Sequence, residues 1–299
     1  MLFVPASRPA MIEKAAASAA DAVCLDLEDS VTADEKATGR ANVVQALREL
    51  DFAHRVRIVR VNALDTPFTY RDVVDVVEAA GDRLELVMLP KVQAAADLQF
   101  LATLLAQIEA AKGCSRRVGI EAQIESARGF LHTREIAAAT PRLAALIFGP
   151  GDFAASMRMP ATGIGEFDAH DELYPGHRWH GVMQTIVAAA RANGVRCMDG
   201  PYAAYKDLAG LERSSRIARA LGFDGKQCIH PAQVAVVNEV FSPSADEVQR
   251  AEAVVAAYDA AVAAGQGAAT HEGRMIDLAS VRMARALLDS RGSSPEPKA

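Results

Sequence analysis

Glu125, Asp152, Arg60 and Lys91 are the residues whose types and settings point to chemistry. Glu125, Arg60 and Lys91 each lie just beyond a strongly apolar run, where a charge costs energy unless it is paired or liganded. Other polar groups fall at similar places: Ser7 and Arg8 after LFVP, Asp26, Glu28 and Asp29 at the end of AVCLDL, Asn62 after RVRIVR, Glu121 and Gln123 within VGIEAQI, Asp199 ending VRCMD, and His230 after KQCI. Carboxylates brought from different segments, with no His or Cys cluster among them, suit an oxygen-loving Mg2+ or Mn2+ rather than zinc. Mg2+ takes one or two carboxylates and completes its octahedron with water and substrate oxygens. A metal so held acts as a Lewis acid on a carbonyl or enolate oxygen. A neighbouring guanidinium holds a substrate carboxylate with two hydrogen bonds. The residue types therefore point to a keto acid or its adduct. A zinc reading would use His170, His177, Trp179 and His180, but their spacing matches no common zinc site.

These groups need a scaffold that brings the ends of separate segments together. Short apolar runs alternate with longer Ala-rich runs of helical period, the pattern of repeated βα units. Strands are expected at 2–5, 22–27, 56–61, 86–90, 118–124, 143–148, 195–199 and 226–229. Eight is the number that closes a parallel (β/α)8 TIM barrel, whose chemistry gathers at the C-terminal ends of the strands. Helices are expected at 9–20, 34–50, 70–80, 94–112, 127–139, 178–193 and 211–221, with Asp34, Glu35 and Asp97 as first-turn acids and Gly194 as a C-cap. A doubly wound sheet is the rival, but no glycine-rich turn follows the first strand. Residues 150–178 form an unusually long connection, a length typical of lids and binding loops. After Pro243 the pattern changes to a long helix at 245–264, a Gly/Ala linker at 265–270 and a second helical stretch at 275–290. The barrel is thus assigned to residues 1–241, and a C-terminal helical lid with a disordered tail to 242–299.

Composition narrows the class further. The 299 residues are 51% apolar and 23% charged with a net charge of −6, and the basic residues are scattered. A nucleic-acid or anionic-membrane surface would need a basic stripe. Cys24, Cys114, Cys197 and Cys228 show no ligand spacing, and three sit in apolar runs as small hydrophobes. No segment is long and apolar enough to span a bilayer, and the N-terminal apolar run is too short for a signal peptide, so a cytoplasmic location is expected.

The stretches LFVPASRPAMIEKAAAS, VCLDLEDSV, IVRVN, MLPKV, IEAQIESARG, IFGPGDFAASMRM and IHPAQVAVVNEVFSPS resemble the citrate lyase β / malyl-CoA lyase family of CoA-ester lyases (HpcH/HpaI aldolase-like). The resemblance runs from residue 2 to about residue 260. MRMPATGIG and YPGHRWH in the long loop look more like malyl-CoA lyases. It implies a Mg2+-dependent carbon–carbon lyase, with Mn2+ as a possible substitute. Glu125 and Asp152 match the metal-ligating carboxylates, and Glu28 with Asp29 the acidic pair that supports the metal's water shell. Arg60 matches the clamp on the keto acid, and Arg8 with Lys14 the contacts to the CoA phosphates. Asp277 in GRMIDLAS matches a lid aspartate that serves a neighbouring subunit, although Leu278-Ala279 follow where the family often has proline.

Each assignment has a plainer counterpart. Arg60 can be a barrel ion pair with Asp26 or Glu28. Lys91 is open between a structural ion pair and an active-site polariser that binds substrate. Arg8 and Lys14 can be ordinary helix-surface cations, Asp277 a helix N-terminal residue, and His230 a packed barrel histidine. The activity implied is reversible Claisen-type cleavage of a 3-hydroxyacyl-CoA to acetyl-CoA and a 2-keto acid, in a homo-oligomer, trimeric or hexameric. The alternatives are a malyl-CoA thioesterase, a citrate lyase β subunit acting on an acyl carrier, and a non-catalytic CoA-ester-binding module.

Overall fold

The computed structural model describes residues 1–173 and 178–290. His177, most of YPGHRWH and the expected disordered tail lie outside the described residues. Contacts divide the chain into two compact units, Met1–Asn238 and a second that begins at Glu239.

In the first unit, eight parallel strands follow one another in sheet order. They are β1 (Leu2–Pro5), β2 (Ala22–Asp26), β3 (Val56–Arg60), β4 (Leu86–Leu89), β5 (Gly119–Ile124), β6 (Leu143–Phe148), β7 (Arg196–Asp199) and β8 (Gly225–Lys226). Closure comes through the residues after β8: Cys228 N–H donates to Met1 O at 2.8 Å, and Phe3 N–H donates to Cys228 O at 2.9 Å. The last strand is therefore two residues long, against the expected 226–229, because Cys228 pairs with β1 as an isolated bridge. β4 and β5 are buried along their whole length, as parallel strands covered on both faces must be. Cys24, Ile58, Leu86, Met88 and Ile147 share one interior cluster with Met1.

Helices wrap this sheet: α1 (Pro9–Ala16), α2 (Lys36–Glu49), α3 (Thr69–Ala80) and α4 (Ala95–Lys112). The expected helix at 127–139 is split into α5 (Ala127–Leu131) and α6 (Thr133–Ala137), hinged at His132. Asp34 and Glu35 occupy a 3-10 turn before α2 rather than its first turn. Asp97 does cap α4, its Oδ2 accepting from Gln93 N–H at 2.7 Å and Ala94 N–H at 3.0 Å.

The long connection contains α7 (Pro150–Ser156) and α8 (Ala169–Leu173) and leads into α9 (His180–Ala192). An aromatic cluster anchors it, with Phe153 edge-on to Phe130, Phe148 and Trp179 at centroid distances of 5.7, 5.8 and 6.2 Å. Arg178 reaches back to Asp168 and Asp171, each at 3.2 Å. Gly165, at φ +73°, lies so near Pro201 O that no side chain fits, and Ala203 N–H donates to the neighbouring Ile164 O at 2.9 Å. Gly194 turns left-handed (φ +63°) after α9, as a C-cap glycine does. α10 (Leu208–Leu221) and α11 (Pro231–Phe241) follow.

The second unit holds α12 (Ala245–Ala263) and α13 (Leu278–Asp289). Between them lies a hairpin of β9 (Ala269–His271) and β10 (Arg274–Ile276), which replaces the expected linker and shortens the expected helix. Its turn residues Glu272 and Gly273 both have positive φ, +48° and +75°, which suits the right-handed twist of the two strands. Among the described residues, no helix is long and apolar enough to cross a membrane.

Candidate active site

The first unit gathers Asp26, Glu28, Arg60, Lys91 and Glu125 at one end of the barrel. Arg60, at the end of β3, donates from Nε to Asp26 Oδ1 at 2.6 Å and from Nη2 to Asp26 Oδ2 at 2.7 Å. Its Nη1 lies 2.8 Å from Glu28 Oε2, and its guanidinium packs over the Phe3 ring. A guanidinium carries about five N–H donors, so these contacts leave about two uncommitted. Lys91 Nζ lies 2.7 Å from Glu28 Oε1 and 3.5 Å from Asp29 Oδ1. Arg60 and Lys91 thus form the ion-pair network of their plainer reading.

Glu125 is held from two sides. Its Oε1 accepts from the Lys91 main-chain N–H at 2.7 Å, and its Oε2 accepts from Gln123 Nε2 at 2.6 Å. Gly149 makes room for it, since a Cβ there would stand 2.6 Å from the Glu125 Cβ. Asp152 lies in the first turn of α7, solvent-exposed, where the adjacent Phe153 is locked into the aromatic cluster.

The charges do not balance. Burial, reinforced by the carboxylates of Glu28 and Asp152, pushes Glu125 up to about 8. Burial likewise raises Glu28, against the pull of Arg60 and Lys91. Burial would also raise Asp26, but the Arg60 charge and hydrogen bonds outweigh it and hold Asp26 below the usual carboxylate range. Burial works against charge on Lys91 and Arg60, yet their acidic partners raise both. Glu28 Oε2, despite its ion pair, and Gln123 Oε1 are buried without a hydrogen-bond partner among the described residues. An acid-rich rim with buried acceptors left over is what a hard divalent cation would complete. Glu125 and Asp152, two oxygen donors from neighbouring βα units, fit the one or two carboxylates that Mg2+ takes. Among the described residues, no group of three or more His, Cys, Asp or Glu side chains forms a ready-made cage.

Several candidates lie elsewhere. Arg8 caps the start of α1 and Lys14 lies in its last turn, both exposed and with no ion pair among the described residues. Asn62 is structural: its N–H and Nδ2 both donate to Asp72 Oδ2, and Nδ2 also to Leu27 O. Asp199 forms a buried ion pair with Lys226. His230 is not packed inside the barrel; it is exposed, stacks on Tyr205 at 4.6 Å and accepts from Ala232 N–H at 3.1 Å. His170 and His180 are exposed, whereas Trp179 belongs to the aromatic cluster. In the second unit, Asp277 caps α13, accepting from Ser280 N–H at 3.0 Å. Burial pushes Glu121, on β5 in the barrel interior, up to about 8. Sequence reasoning overlooked Lys36, whose buried ammonium donates to Leu27 O at 2.7 Å and Glu28 O at 2.8 Å and so pins the loop carrying Glu28. Its only signal was a lysine on an apolar helix face.

The family described as HpcH/HpaI aldolase/citrate lyase matches residues 1–231. The chain is 48% identical over 293 residues to the L-malyl-CoA/beta-methylmalyl-CoA lyase of Cereibacter sphaeroides, covering 96% of this chain and 92% of that protein. It is 37% identical to a (3S)-malyl-CoA thioesterase of the same organism, at the same coverage. Among solved structures, it is similar to the protein CitE from Mycobacterium tuberculosis in complex with magnesium, acetoacetate and coenzyme A. That likeness has 32% identity, a TM-score of 0.76, and covers 98% of this chain and 97% of the other.

Proposed function

This chain belongs to the HpcH/HpaI aldolase/citrate lyase family, and we propose that it is a magnesium-dependent CoA-ester lyase. Its reaction is the reversible cleavage of a 3-hydroxyacyl-CoA to a shorter acyl-CoA and a 2-keto acid: malyl-CoA to acetyl-CoA and glyoxylate, or methylmalyl-CoA to propionyl-CoA and glyoxylate. The observation that carries this reading is the pairing of Glu125 and Asp152 beside Arg60, an acidic cation site next to a guanidinium with donors to spare. The likeness to the malyl-CoA/methylmalyl-CoA lyases supports the acyl group.

Glu125 and Asp152 would hold Mg2+, which would supply Lewis-acid stabilisation of negative charge on the substrate oxygens. Arg60 directs its remaining N–H donors at the carboxylate that becomes part of the keto acid. Glu28 and Asp29 would support the water shell of such an ion. Arg8, Lys14 and the N-terminal end of α1 hold the CoA phosphates. Asp277, reaching a neighbouring subunit's site in a homo-oligomer, takes the proton of the 3-hydroxyl. The C2–C3 bond then breaks, C3 becomes the keto carbonyl, and the electron pair passes into the thioester as the acyl-CoA enolate. Protonation at C2 releases acetyl-CoA, or propionyl-CoA where C2 carries the methyl group. Arg60 holds a carboxylate that is charged throughout, so its part is to bind and orient the substrate for the step.

The likeness to malyl-CoA thioesterases favours one rival. A panel of malyl-, methylmalyl-, citramalyl- and citryl-CoA with Mg2+, scored separately for keto acid and for free hydroxy acid, tests the proposal. Glyoxylate with acetyl-CoA or propionyl-CoA is expected; free malate without glyoxylate would give the thioesterase instead.

Asp277 needs a variant that respects its cap. Alanine would lose both the carboxylate and the cap, the latter worth about 1 kcal/mol. Asp277→Asn keeps the capping oxygen and removes the base. Turnover is expected to fall about 100-fold or more, with acyl-CoA binding and melting temperature little changed. An equal loss of turnover and binding would refute the role.

A further inference from the structure

The backbone of Lys91 is left-handed, at φ +52°, a region that a side chain with a Cβ enters at a cost. Such outliers persist where surrounding structure enforces them, and they cluster at functional sites. Here the enforcement is visible. Val92 N–H donates to Gln123 O at 3.2 Å, and Gln93 and Ala94 N–H are both tied to Asp97. Gly129, against Val92 O, leaves no space for a side chain, so α5 presses on the same turn. The consequence is that the Lys91 main-chain N–H points at Glu125 Oε1, 2.7 Å away, while Lys91 Nζ meets Glu28 Oε1 at the same distance.

We propose that Lys91 is a positioning residue that acts on two carboxylates at once: its main-chain N–H, presented by the left-handed backbone, orients Glu125, and its ammonium orients Glu28. The proposal deepens the reading above and rests on it. It also changes what Lys91 is for. Its main-chain N–H and its ammonium both meet carboxylates of the site, which assigns it a part in arranging them. Glycine would serve the backbone role equally well but could not supply the ammonium, which explains a lysine at a position where glycine is easier.

The two halves separate experimentally in the full-length protein. Lys91→Gly and Lys91→Val both lose the ammonium, but only glycine enters the left-handed region freely. Mn2+ dissociation constants, read from the electron paramagnetic resonance signal of free Mn2+, are expected to show Lys91→Gly binding as tightly as the parent or tighter. Lys91→Val should bind about 10-fold more weakly than Lys91→Gly, the scale of loss for a group that orients a metal ligand. Lys91→Ala replaces the valine variant if that one does not fold. Equal Mn2+ affinities for the glycine variant and its β-carbon-bearing counterpart would overturn the N–H role. For the ammonium, Lys91→Met should lower kcat about 10-fold at saturating Mg2+ with KM nearly unchanged, and Lys91→Arg should recover most of it. A methionine variant with the parent's kcat would overturn that half. A parent protein that binds no Mn2+ would sink the metal reading itself and this proposal with it, an outcome distinct from either of the others.

Discussion

Glu125→Gln is expected to abolish Mg2+-dependent lyase turnover while leaving the fold intact. The loss should reach about 1,000-fold, because Lewis-acid stabilisation supplies several kcal/mol and each ~1.4 kcal/mol is a factor of ten. Glutamine keeps the shape and an oxygen for the Lys91 N–H, so packing around Gly149 is preserved. What disappears is the capacity to carry a negative charge, which burial beside Glu28 and Asp152 already disfavours when no cation is bound. Melting temperature without metal should therefore hold or rise, and only the parent should gain stability on adding Mg2+, since binding to the folded state alone raises stability. Asp152→Ala should lose activity on the same scale with still less effect on melting, because Asp152 is exposed at the start of α7. Turnover is measured across a Mg2+ titration after EDTA treatment. Full activity of either variant in EDTA-treated enzyme would end the metal assignment.

The barrel was readable because its signal is repeated. Each βα unit shows an apolar run followed by a helical period, and β1 and β6 fall at the expected residues. β8 was overread at its end because Cys228 and Ile229 continue the apolar run although only Gly225–Lys226 join the ladder. The hairpin at 269–276 was missed although its signal was present: Glu272-Gly273 is a turn pair flanked by two short runs of mixed polar and apolar residues, and the Gly/Ala residues before it masked the alternation. At the site, residue types revealed the acids and the cations but not their partners. Nothing in MLPKV says that Lys91 turns left-handed, because that conformation is enforced by Gln123, Asp97 and α5, which are distant in sequence or follow it. Asn62 read as a rim group because its burial against Asp72, on α3, is a tertiary fact.

Arg60→Met separates the two roles that sequence and structure give this residue. Arg60 is a bidentate partner of Asp26, with side chains 13% and 3% exposed. Removing one member of a buried pair costs about 3–5 kcal/mol because the other charge is stranded, or on the order of 10 °C in melting temperature. The pH dependence has a definite sign. In the parent, Asp26 titrates below its ordinary value, so its pairing stabilises the fold at neutral pH and is lost only as acid protonates it below about 3.9. Without Arg60, burial dominates and Asp26 titrates above its unfolded value. Its favourable state is then the protonated one, present in acid and lost as pH rises through and beyond about 4. Arg60→Met should thus melt closer to the parent at pH 5 than at pH 8. Adding Asp26→Asn removes the stranded charge, so the double variant should recover much of the melting temperature at pH 8. Recovery of stability carries no recovery of function if Arg60 also clamps the keto acid, because neither methionine nor asparagine can donate the two N–H bonds a carboxylate takes from a guanidinium. The double variant should therefore melt near the parent yet show a keto-acid KM, in the condensation direction, raised about 100-fold, the scale of hydrogen bonds to a charged group. A double variant that regained both stability and the parent's KM would make Arg60 a barrel ion pair alone.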